Sequence, residues 1–240
     1  MNLTKSYYAQ DGIYVPQPAV SVKLDEWTGY TDQGYKLETV LSGVPEATTY
    51  LDKKCCKFSH SSIYRRAYNF FQGGSGVNQQ VDAQCALSVW VATSANTHWR
   101  QSMMAGIGDA GSSGKFYTNG IGVELIGDTG CLVSGFRTGG SLVSDSMSRA
   151  STDTNWHHFV INFHFFAPKW TSSYYTITKY IDGIRKGEYR RDQYHRAYTH
   201  LFLWNSNTNS NAVPQYIRDI RAYPCELSPE YIQQLYQEGL

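Results

Sequence analysis

Hydrophobic and polar residues alternate in short runs along most of the chain, and Gly, Asn, Asp and Ser separate the runs. In residues 86–92, ALSVWVA, the side chains of Leu87, Val89 and Val91 fall on one face of an extended chain. Residues 121–125, IGVEL, alternate in the same way. A period of two residues predicts β-strands that bury one face.

The clearest local signal lies in the segment YYTITKYIDGIRKGEY. A strand pattern on each side is interrupted by Asp182 and Gly183, a pair that adopts the positive φ angles of a two-residue turn at little cost. We therefore predict a β-hairpin with strands at residues 174–181 and 184–189.

Residues 155–166, NWHHFVINFHFF, contain three histidines in one largely apolar run. In a strand, His157 and His158 point to opposite faces, while His158 and His164 lie about 20 Å apart at ~3.4 Å per residue. A zinc–histidine bond is only about 2 Å long, so this set cannot hold one ion, and we expect no metal. The segment predicts a core strand whose buried side carries His157, Phe159, Ile161, Phe163 and Phe165.

Two more strands are predicted toward the end of the chain. The apolar run LFLW precedes a polar loop at residues 205–211. In residues 216–223 the alternation places Ile217, Asp219 and Arg221 on one face of a strand, opposite Arg218 and Ala222.

Only the end of the sequence has a helical pattern. Ser228 is a suitable N-cap, Pro229 suits the first helical position, and Gly239 suits the stop. Apolar residues follow at helical spacing, namely Tyr231, Ile232, Leu235 and Tyr236. Many short strands with one terminal helix predict an all-β, two-sheet antiparallel sandwich.

Composition narrows the function classes. The 21 Lys and Arg residues nearly balance the 20 Asp and Glu residues, so we expect no nucleic-acid partner and no anionic membrane partner. No segment approaches the ~20 apolar residues that cross a bilayer, and the N-terminus lacks a signal-peptide core. The five cysteines form no C-x-x-C pair, which favours free thiols in a reducing compartment.

Two regions of different character are expected along the chain. Residues 1–20 end in VPQPAV, and two prolines favour an extended N-terminal arm. Residues 21–240 carry the strand pattern and are expected to form one jelly-roll domain.

Several segments recur in an order typical of one family: residues 86–91 (ALSVWV), 156–160 (WHHFV), 180–183 (YIDG), 217–223 (IRDIRAY), 227–232 (LSPEYI) and 235–239 (LYQEG). In this order and spacing the chain resembles the laminin-G-like, concanavalin-A-like lectin/glucanase domains. The likeness spans about residues 82–240, with residues 20–81 supplying the first strands. It implies a concanavalin-A-like jelly roll with a concave face and rim loops, a scaffold that mostly binds glycans or proteins and sometimes cleaves glycans.

Catalytic motifs are incomplete in this sequence. The sandwich glycanases of this fold carry Glu-x-Asp-x-x-Glu on one strand, and no Glu-x-Asp occurs here. Glu124 and Asp128 are the nearest substitute, at about 13 Å in a strand. Residues 73–77 lack the last glycine of a nucleophile elbow, and residues 108–116 depart from the phosphate-binding loop at two positions. We therefore expect no enzyme activity and no cofactor.

A basic run between residues 185 and 196 is interrupted by Glu188 and Asp192. Interspersed charge favours a solvated edge strand over a nucleic-acid site.

Glycan binding is the chemistry that the loops favour. A sugar stacks its apolar face on an exposed aromatic ring, and its hydroxyls pair with amides and carboxylates. Three loops combine these groups, and the candidate residues in them are Trp170, Tyr174, Trp204, Asn205, Asn207 and Trp99. For each tryptophan, packing at the edge of the core is the open alternative.

These observations favour a non-enzymatic bacteriophage virion protein, a decoration, fibre or adhesion component that binds host surface glycans. Such a protein needs no export signal because lysis releases it. Residues 1–20 would dock on other virion subunits within a homo-oligomer or larger assembly. The alternatives are a stand-alone carbohydrate-binding module and a glycan hydrolase or lyase of the same fold.

Overall fold

The structure is a computed structural model, and it describes residues 7–10, 13–58, 62–71, 83–93, 102–108, 120–126, 131–138, 141–143, 154–166, 174–191, 198–206 and 215–240. In these ranges the chain forms antiparallel β-sheets and one C-terminal helix. No helix in the described part is long and apolar enough to cross a membrane.

Two large sheets dominate the fold. The seven-stranded sheet has the order β12 (Ser141–Val143), β11 (Cys131–Thr138), β10 (Gly120–Ile126), β9 (Ser102–Gly108), β16 (Tyr198–Ser206), β7 (Ser62–Phe71) and β4 (Glu38–Ser42). The eight-stranded sheet has the order β15 (Ile184–Arg191), β14 (Tyr174–Ile181), β13 (His157–Phe166), β8 (Ala83–Thr93), β17 (Gln215–Tyr223), β6 (Lys53–Phe58) and β5 (Glu46–Tyr50), with β3 (Val20–Val22) also paired to β17. Sheet neighbours are often distant in sequence, as in a jelly roll.

The main core lies between the two sheets, and β13 shows how the sequence builds it. Phe159, Ile161, Phe163 and Phe165 are buried in this core, as the period of two predicts. The opposite side of the same strand is also buried, because the chain segment after β17 covers it. Asn162 there donates to the carbonyl of Leu227 at 2.8 Å and accepts from its amide at 3.0 Å.

The covering element is helix α1 (Pro229–Gly239), which begins and ends where the sequence predicts. The Ser228 hydroxyl accepts a hydrogen bond from the Tyr231 amide at 3.2 Å, which satisfies a free N–H of the first turn. Tyr231, Ile232 and Leu235 pack in a second buried cluster against Ala86, Val160 and Tyr223 of the sheet.

The C-terminal end of α1 has no basic residue in its last turn, so the sheet supplies the cations. Arg218 on β17 donates to the carbonyl of Gly239, and Lys53 on β6 donates to the carbonyl of Leu240. Positive charge there matches the negative end of the helix dipole. A Cβ on Gly239 would lie 2.4 Å from the Trp90 ring, so the helix end is packed directly on β8.

The predicted β14–β15 hairpin is confirmed. Asp182 and Gly183 form its turn with φ angles of 53° and 74°. The Asp182 carboxylate also accepts from the His158 amide at 2.9 Å and contacts His157 Nδ1 at 2.8 Å, which joins the turn to β13. β15 is an edge strand, as its interspersed charges predict.

One predicted face is wrong, and a β-bulge is the reason. The sequence placed Ile217, Asp219 and Arg221 on a common face of β17. The pairing with β8 shifts between Arg218 and Ile220, and Asp219 adopts φ 48°. Simple alternation ends there, and the buried residues of β17 in the main core are Ile217, Ile220 and Ala222.

The expected N-terminal arm has more structure than an extended lead-in. β1 (Tyr7–Gln10) and β2 (Ile13–Pro16) pair as an antiparallel two-stranded sheet. Val15 packs against the helix-side cluster, and the Ala19 amide donates to Ala222 at 2.8 Å. This part of the arm packs on the chain's own domain, whereas the boundary at residue 20 stays a prediction.

Four cysteines, Cys55, Cys56, Cys85 and Cys225, are buried free thiols. Burial raises the pKa of Cys55 to about 11 and that of Cys56 to about 12. Both are therefore neutral thiols at neutral pH and unsuited to act as nucleophiles.

Candidate functional site: a rigid aromatic loop

The segment between β3 and β4 passes from one sheet to the other, and we call residues 23–37 the crossover loop. Leu24 near its start and Leu37 at its end are both buried in the main core. The two ends of the loop are therefore fixed by hydrophobic burial.

Trp27 fastens the middle of the loop to both sheets. Its ring centroid lies 6.0 Å from that of Phe58 on β6, nearly edge-on, and 4.3 Å from that of Tyr64 on β7. Tyr64 is itself held by a 2.7 Å hydrogen bond from its hydroxyl to the carbonyl of Gly43. Trp27 is thus a packing residue that joins the sheets at this side of the sandwich.

Polar contacts hold the loop against β3. The Asp32 carboxylate accepts from the Lys23 amide at 2.8 Å, and the Asp32 amide donates to the Ser21 carbonyl at 2.8 Å. The side-chain amide of Gln33 donates to the Ser21 hydroxyl at 2.9 Å and accepts from its backbone N–H at 3.2 Å. These bonds fix the position of the loop tip relative to the eight-stranded sheet.

The tip is a tight turn closed by Thr31. The Thr31 amide donates to the Tyr35 carbonyl at 2.8 Å, and the Tyr35 amide donates back to the Thr31 hydroxyl at 3.1 Å. Gly34 follows with φ 79°, a conformation that favours glycine. The turn is therefore well defined without needing its tyrosine side chains for support.

Two tyrosine rings on this turn face solvent. Tyr30 is 47% exposed and Tyr35 is 53% exposed, and within the described residues they are the aromatic members of the exposed large hydrophobic set. The Arg66 guanidinium of β7 lies 4.5 Å from the centre of the Tyr35 ring. A rigid loop thus displays two aromatic side chains, one of them backed by a cation.

The neighbouring Arg65 has a different environment. Its Nε and Nη2 atoms donate to the two carboxylate oxygens of Glu38 at 2.6 and 2.7 Å, a bidentate pair. The hydrogen bond from Arg65 lowers the pKa of Glu38. Glu38 and Arg65 therefore neutralise each other beside the loop.

None of the six glycan-binding residues predicted from sequence belongs to the crossover loop. Tyr174 begins β14, where its ring stacks on Phe166 at 4.7 Å and lies 3.7 Å from the Arg190 guanidinium. Phe166 in turn stacks on His164 at 3.6 Å. Tyr174 thus belongs to a row of packed rings on the eight-stranded sheet.

Of the other five predicted residues, two fall within the described strands. Trp204 and Asn205 belong to β16 of the other sheet, where Asn205 pairs with Met103. Of the polar loop predicted at residues 205–211, residues 205 and 206 belong to β16, and residues 207–211 lie outside the described residues. Trp170, Asn207 and Trp99 lie outside the described residues.

The three histidines of β13 each have a separate partner. His157 Nδ1 lies 2.8 Å from Asp182, His158 Nε2 lies 2.9 Å from Ser88, and His164 Nδ1 lies 3.0 Å from Glu226. Among the described residues, no three His, Cys, Asp or Glu side chains are grouped to hold a metal ion.

The sequence does contain a signal for the crossover loop that composition alone obscured. In YTDQGY, two tyrosines flank a turn motif, so both aromatic side chains fall beside a reversal. With 19 tyrosines in the chain, this pair has no distinguishing feature until its exposure is known.

Two antiparallel sheets that pack face to face, with sheet neighbours distant in sequence, define a jelly-roll sandwich. The chain is a member of the concanavalin A-like lectin/glucanases superfamily, whose laminin-G-type family matches residues 72–233. The crossover loop precedes that matched segment.

Solved structures of the same fold include carbohydrate-associated domains. Domain 4 of AbnA, a GH43 extracellular arabinanase from Geobacillus stearothermophilus solved with arabinotriose, has a TM-score of 0.60 and 15% identity, covering 92% of this chain and 98% of that one. The receptor-binding domain of botulinum neurotoxin mosaic serotype C/D gives 0.60 and 16%, covering 92% and 51%. Botulinum neurotoxin type C, whose cell entry depends on two ganglioside molecules, gives 0.59 and 13%, covering 92% and 51%. Comparison with curated proteins gives no significant match.

Proposed function

We propose that this protein is a non-catalytic glycan-binding protein and that the crossover loop is its binding surface. The observation that carries the proposal is the exposure of Tyr30 and Tyr35 on a loop that hydrogen bonds and buried leucines hold in place. Exposed aromatic rings on a rigid loop are poor for stability but suited to recognition.

The chemistry of sugars matches this surface. The C–H face of a pyranose or furanose ring packs on an aromatic ring, and the hydroxyls need donors and acceptors nearby. Tyr35 supplies a ring, and Arg66 supplies N–H donors beside it. Because the loop is already ordered, binding loses little conformational freedom.

Two of the structural relatives support the same reading through what they bind. The arabinanase domain was solved with arabinotriose, and botulinum neurotoxin type C interacts with gangliosides. We extend only the general ligand class, a carbohydrate, to this chain.

The test is glycan-array and calorimetric binding by the wild type and by Tyr35→Ala, Tyr30→Ala and Ile184→Ala. Tyr35→Ala should weaken binding at least tenfold, about 1.4 kcal/mol. Ile184 is the matched control, since it is a 58% exposed apolar residue on β15, the edge strand of the eight-stranded sheet, away from the crossover loop. Its variant should bind like the wild type. Circular dichroism should show all variants folded.

Two results would reject the proposal. Equal binding by the Tyr30, Tyr35 and Ile184 variants would move the site elsewhere, and silence across all glycans would favour a purely structural role. Release of new reducing ends from a bound polysaccharide would instead indicate a glycanase.

The bacteriophage particle remains the proposed setting, with the sequence as its support. Val15 packs on the chain's own domain, and docking of residues 1–20 on other virion subunits stays part of the proposal. Mass spectrometry of purified particles tests the setting, since the chain should be present in stoichiometric amounts.

A further inference from the structure

Two adjacent arginines on β7, Arg65 and Arg66, have different partners. Arg65 engages both oxygens of the Glu38 carboxylate at 2.6 and 2.7 Å. For Arg66, the contact found among the described residues is the 4.5 Å approach to the Tyr35 ring, with no carboxylate in salt-bridge range there. In the described part of the chain, no carboxylate occupies the N–H donors of this second guanidinium, and a ligand could accept hydrogen bonds from them.

The position of Arg66 makes this availability relevant to binding. Its side chain is half-buried behind an exposed ring, so water screens its charge less than at an open surface. A guanidinium prefers a planar partner with two oxygens, because two parallel N–H···O bonds can form. A sugar carboxylate provides that geometry, and the sugar ring that carries it can pack on the Tyr35 ring.

The wider loop does not create a general positive field. Around the tip, the cations Lys23, Lys36, Arg65 and Arg66 are balanced by the anions Asp25, Glu26, Asp32 and Glu38. Lys23 Nζ lies 3.4 Å from the Asp25 carboxylate, so its charge is already paired. Selection for an acidic ligand would thus depend on one directed pair rather than on net charge.

We propose that the site formed by Tyr35 and Arg66 selects glycans that carry a carboxylate, such as uronic-acid or sialic-acid polymers. This inference rests on the proposed glycan-binding function and names its ligand class. The sugar ring packs on Tyr35, and its carboxylate accepts two hydrogen bonds from Arg66.

Matched polymers test the carboxylate directly. The probes are polygalacturonate, alginate and polysialic acid, each beside its esterified or carboxyl-reduced form, with calorimetry or affinity electrophoresis as the measurement. At least one acidic polymer should bind the wild type tenfold or more tightly than its neutral form. Sulfated dextran is included to distinguish carboxylate from sulfate.

Variants then assign the preference to one side chain. Arg66→Gln should abolish the preference, and Arg66→Lys should restore only part of it, because an ammonium lacks the planar fork. Lys186→Gln removes one charge from an exposed residue of β15, outside the crossover loop, and should leave the preference intact. Thermal unfolding should confirm that all three variants are folded.

The outcomes distinguish selection for a carboxylate from glycan binding itself. If Tyr35→Ala lowers binding to the acidic and neutral forms equally and Arg66→Gln has no effect, the carboxylate inference is overturned while glycan binding stands. Equal losses in Arg66→Gln and Lys186→Gln, tighter binding of sulfated dextran, or binding of neutral glycans alone would overturn it as well. If Tyr35→Ala changes no affinity, the crossover loop itself is the wrong site.

Discussion

Two of the sites in the described structure where an arginine lies over an aromatic ring differ in their exposure to solvent. On the eight-stranded sheet, Arg218 lies 4.5 Å from the Trp90 ring and 5.3 Å from the Trp156 ring. On β7, Arg66 lies 4.5 Å from the Tyr35 ring. The contact distances are alike, but only the Tyr35 site is open to solvent.

What covers each pair explains the difference. Trp90 is buried, stacks on Tyr236 of α1 at 5.7 Å, and lies against Gly239. Arg218 is bonded to the Gly239 carbonyl. An arginine–aromatic pair therefore helps to hold a helix where the chain folds over it, and leaves an exposed ring where no segment of the described structure covers it.

The two regions also differ in the free energy of unfolding that they should contribute. The helix-covered region buries rings, an amide and a neutral histidine, so changes there should destabilise the fold. Tyr30 and Tyr35 leave about half of their surface exposed, so their removal should destabilise the fold much less and, under the proposed function, lower glycan affinity. Three experiments test this contrast.

Asn162→Ala should have the largest effect, a loss of about 3 kcal/mol in the free energy of unfolding. Removing the amide leaves the Leu227 N–H and C=O buried without their partner. Denaturant unfolding measures the loss, and Thr178→Ala, opposite Asn162 in the β14 register, is the control. A glycan affinity that falls with Asn162→Ala while the protein stays folded would contradict the separation of the two regions.

Acid should weaken the helix-covered region through His158. Burial lowers the pKa of His158 to about 3; nearby Asp182 opposes this shift, and Arg221 and Arg218 add to it. As pH falls from about 6.5 toward 3, His158 therefore becomes protonated in the unfolded chain but stays neutral in the folded chain. Stability from this group is complete above pH 6.5 and is lower by about 2 kcal/mol at pH 5.

The variant His158→Phe isolates that contribution. It cannot be protonated, so its stability should fall less between pH 7 and pH 5 than that of the wild type, by denaturant titration at each pH. Parallel pH curves for the two proteins would show that His158 is protonated without cost.

Gly239→Ala should have the smallest effect, a destabilisation of about 1 kcal/mol. The new Cβ would meet the buried Trp90 ring at 2.4 Å. An alanine normally favours a helix over glycine, so the sign is informative. A higher melting temperature than the wild type would mean that the helix end is not packed on β8, and Gln237→Ala on the exposed side of α1 is the control.

Local patterns were sufficient for much of the fold. Alternation in residues 86–92 and 155–166, the Asp182-Gly183 turn and the Ser228 cap are confirmed, because each depends on a few neighbouring residues. β17 shows the limit. The bulge at Asp219 depends on pairing with β8, 126 or more residues earlier in sequence, and no local pattern indicates it.

The candidate site was less accessible to sequence reasoning. The sequence analysis predicted glycan binding mainly at tryptophans in polar loops. The exposed aromatic residues found in the described structure are Tyr30 and Tyr35. A tyrosine's exposure depends on which distant elements pack beside it. Tyr175 and Tyr223 are fully buried in the same chain, although they are chemically identical to Tyr35.

The sequence by itself determined the strand periodicity, the hairpin turn, the helix limits and the family, because these depend on residue types at short spacing. Only the tertiary structure decided which aromatic residues face solvent, which arginine has a carboxylate partner and which supports an open ring. Those properties are set by contacts between segments far apart in the chain. Arg65 and Arg66 are adjacent in sequence, and the crossover loop and β4 give them different partners.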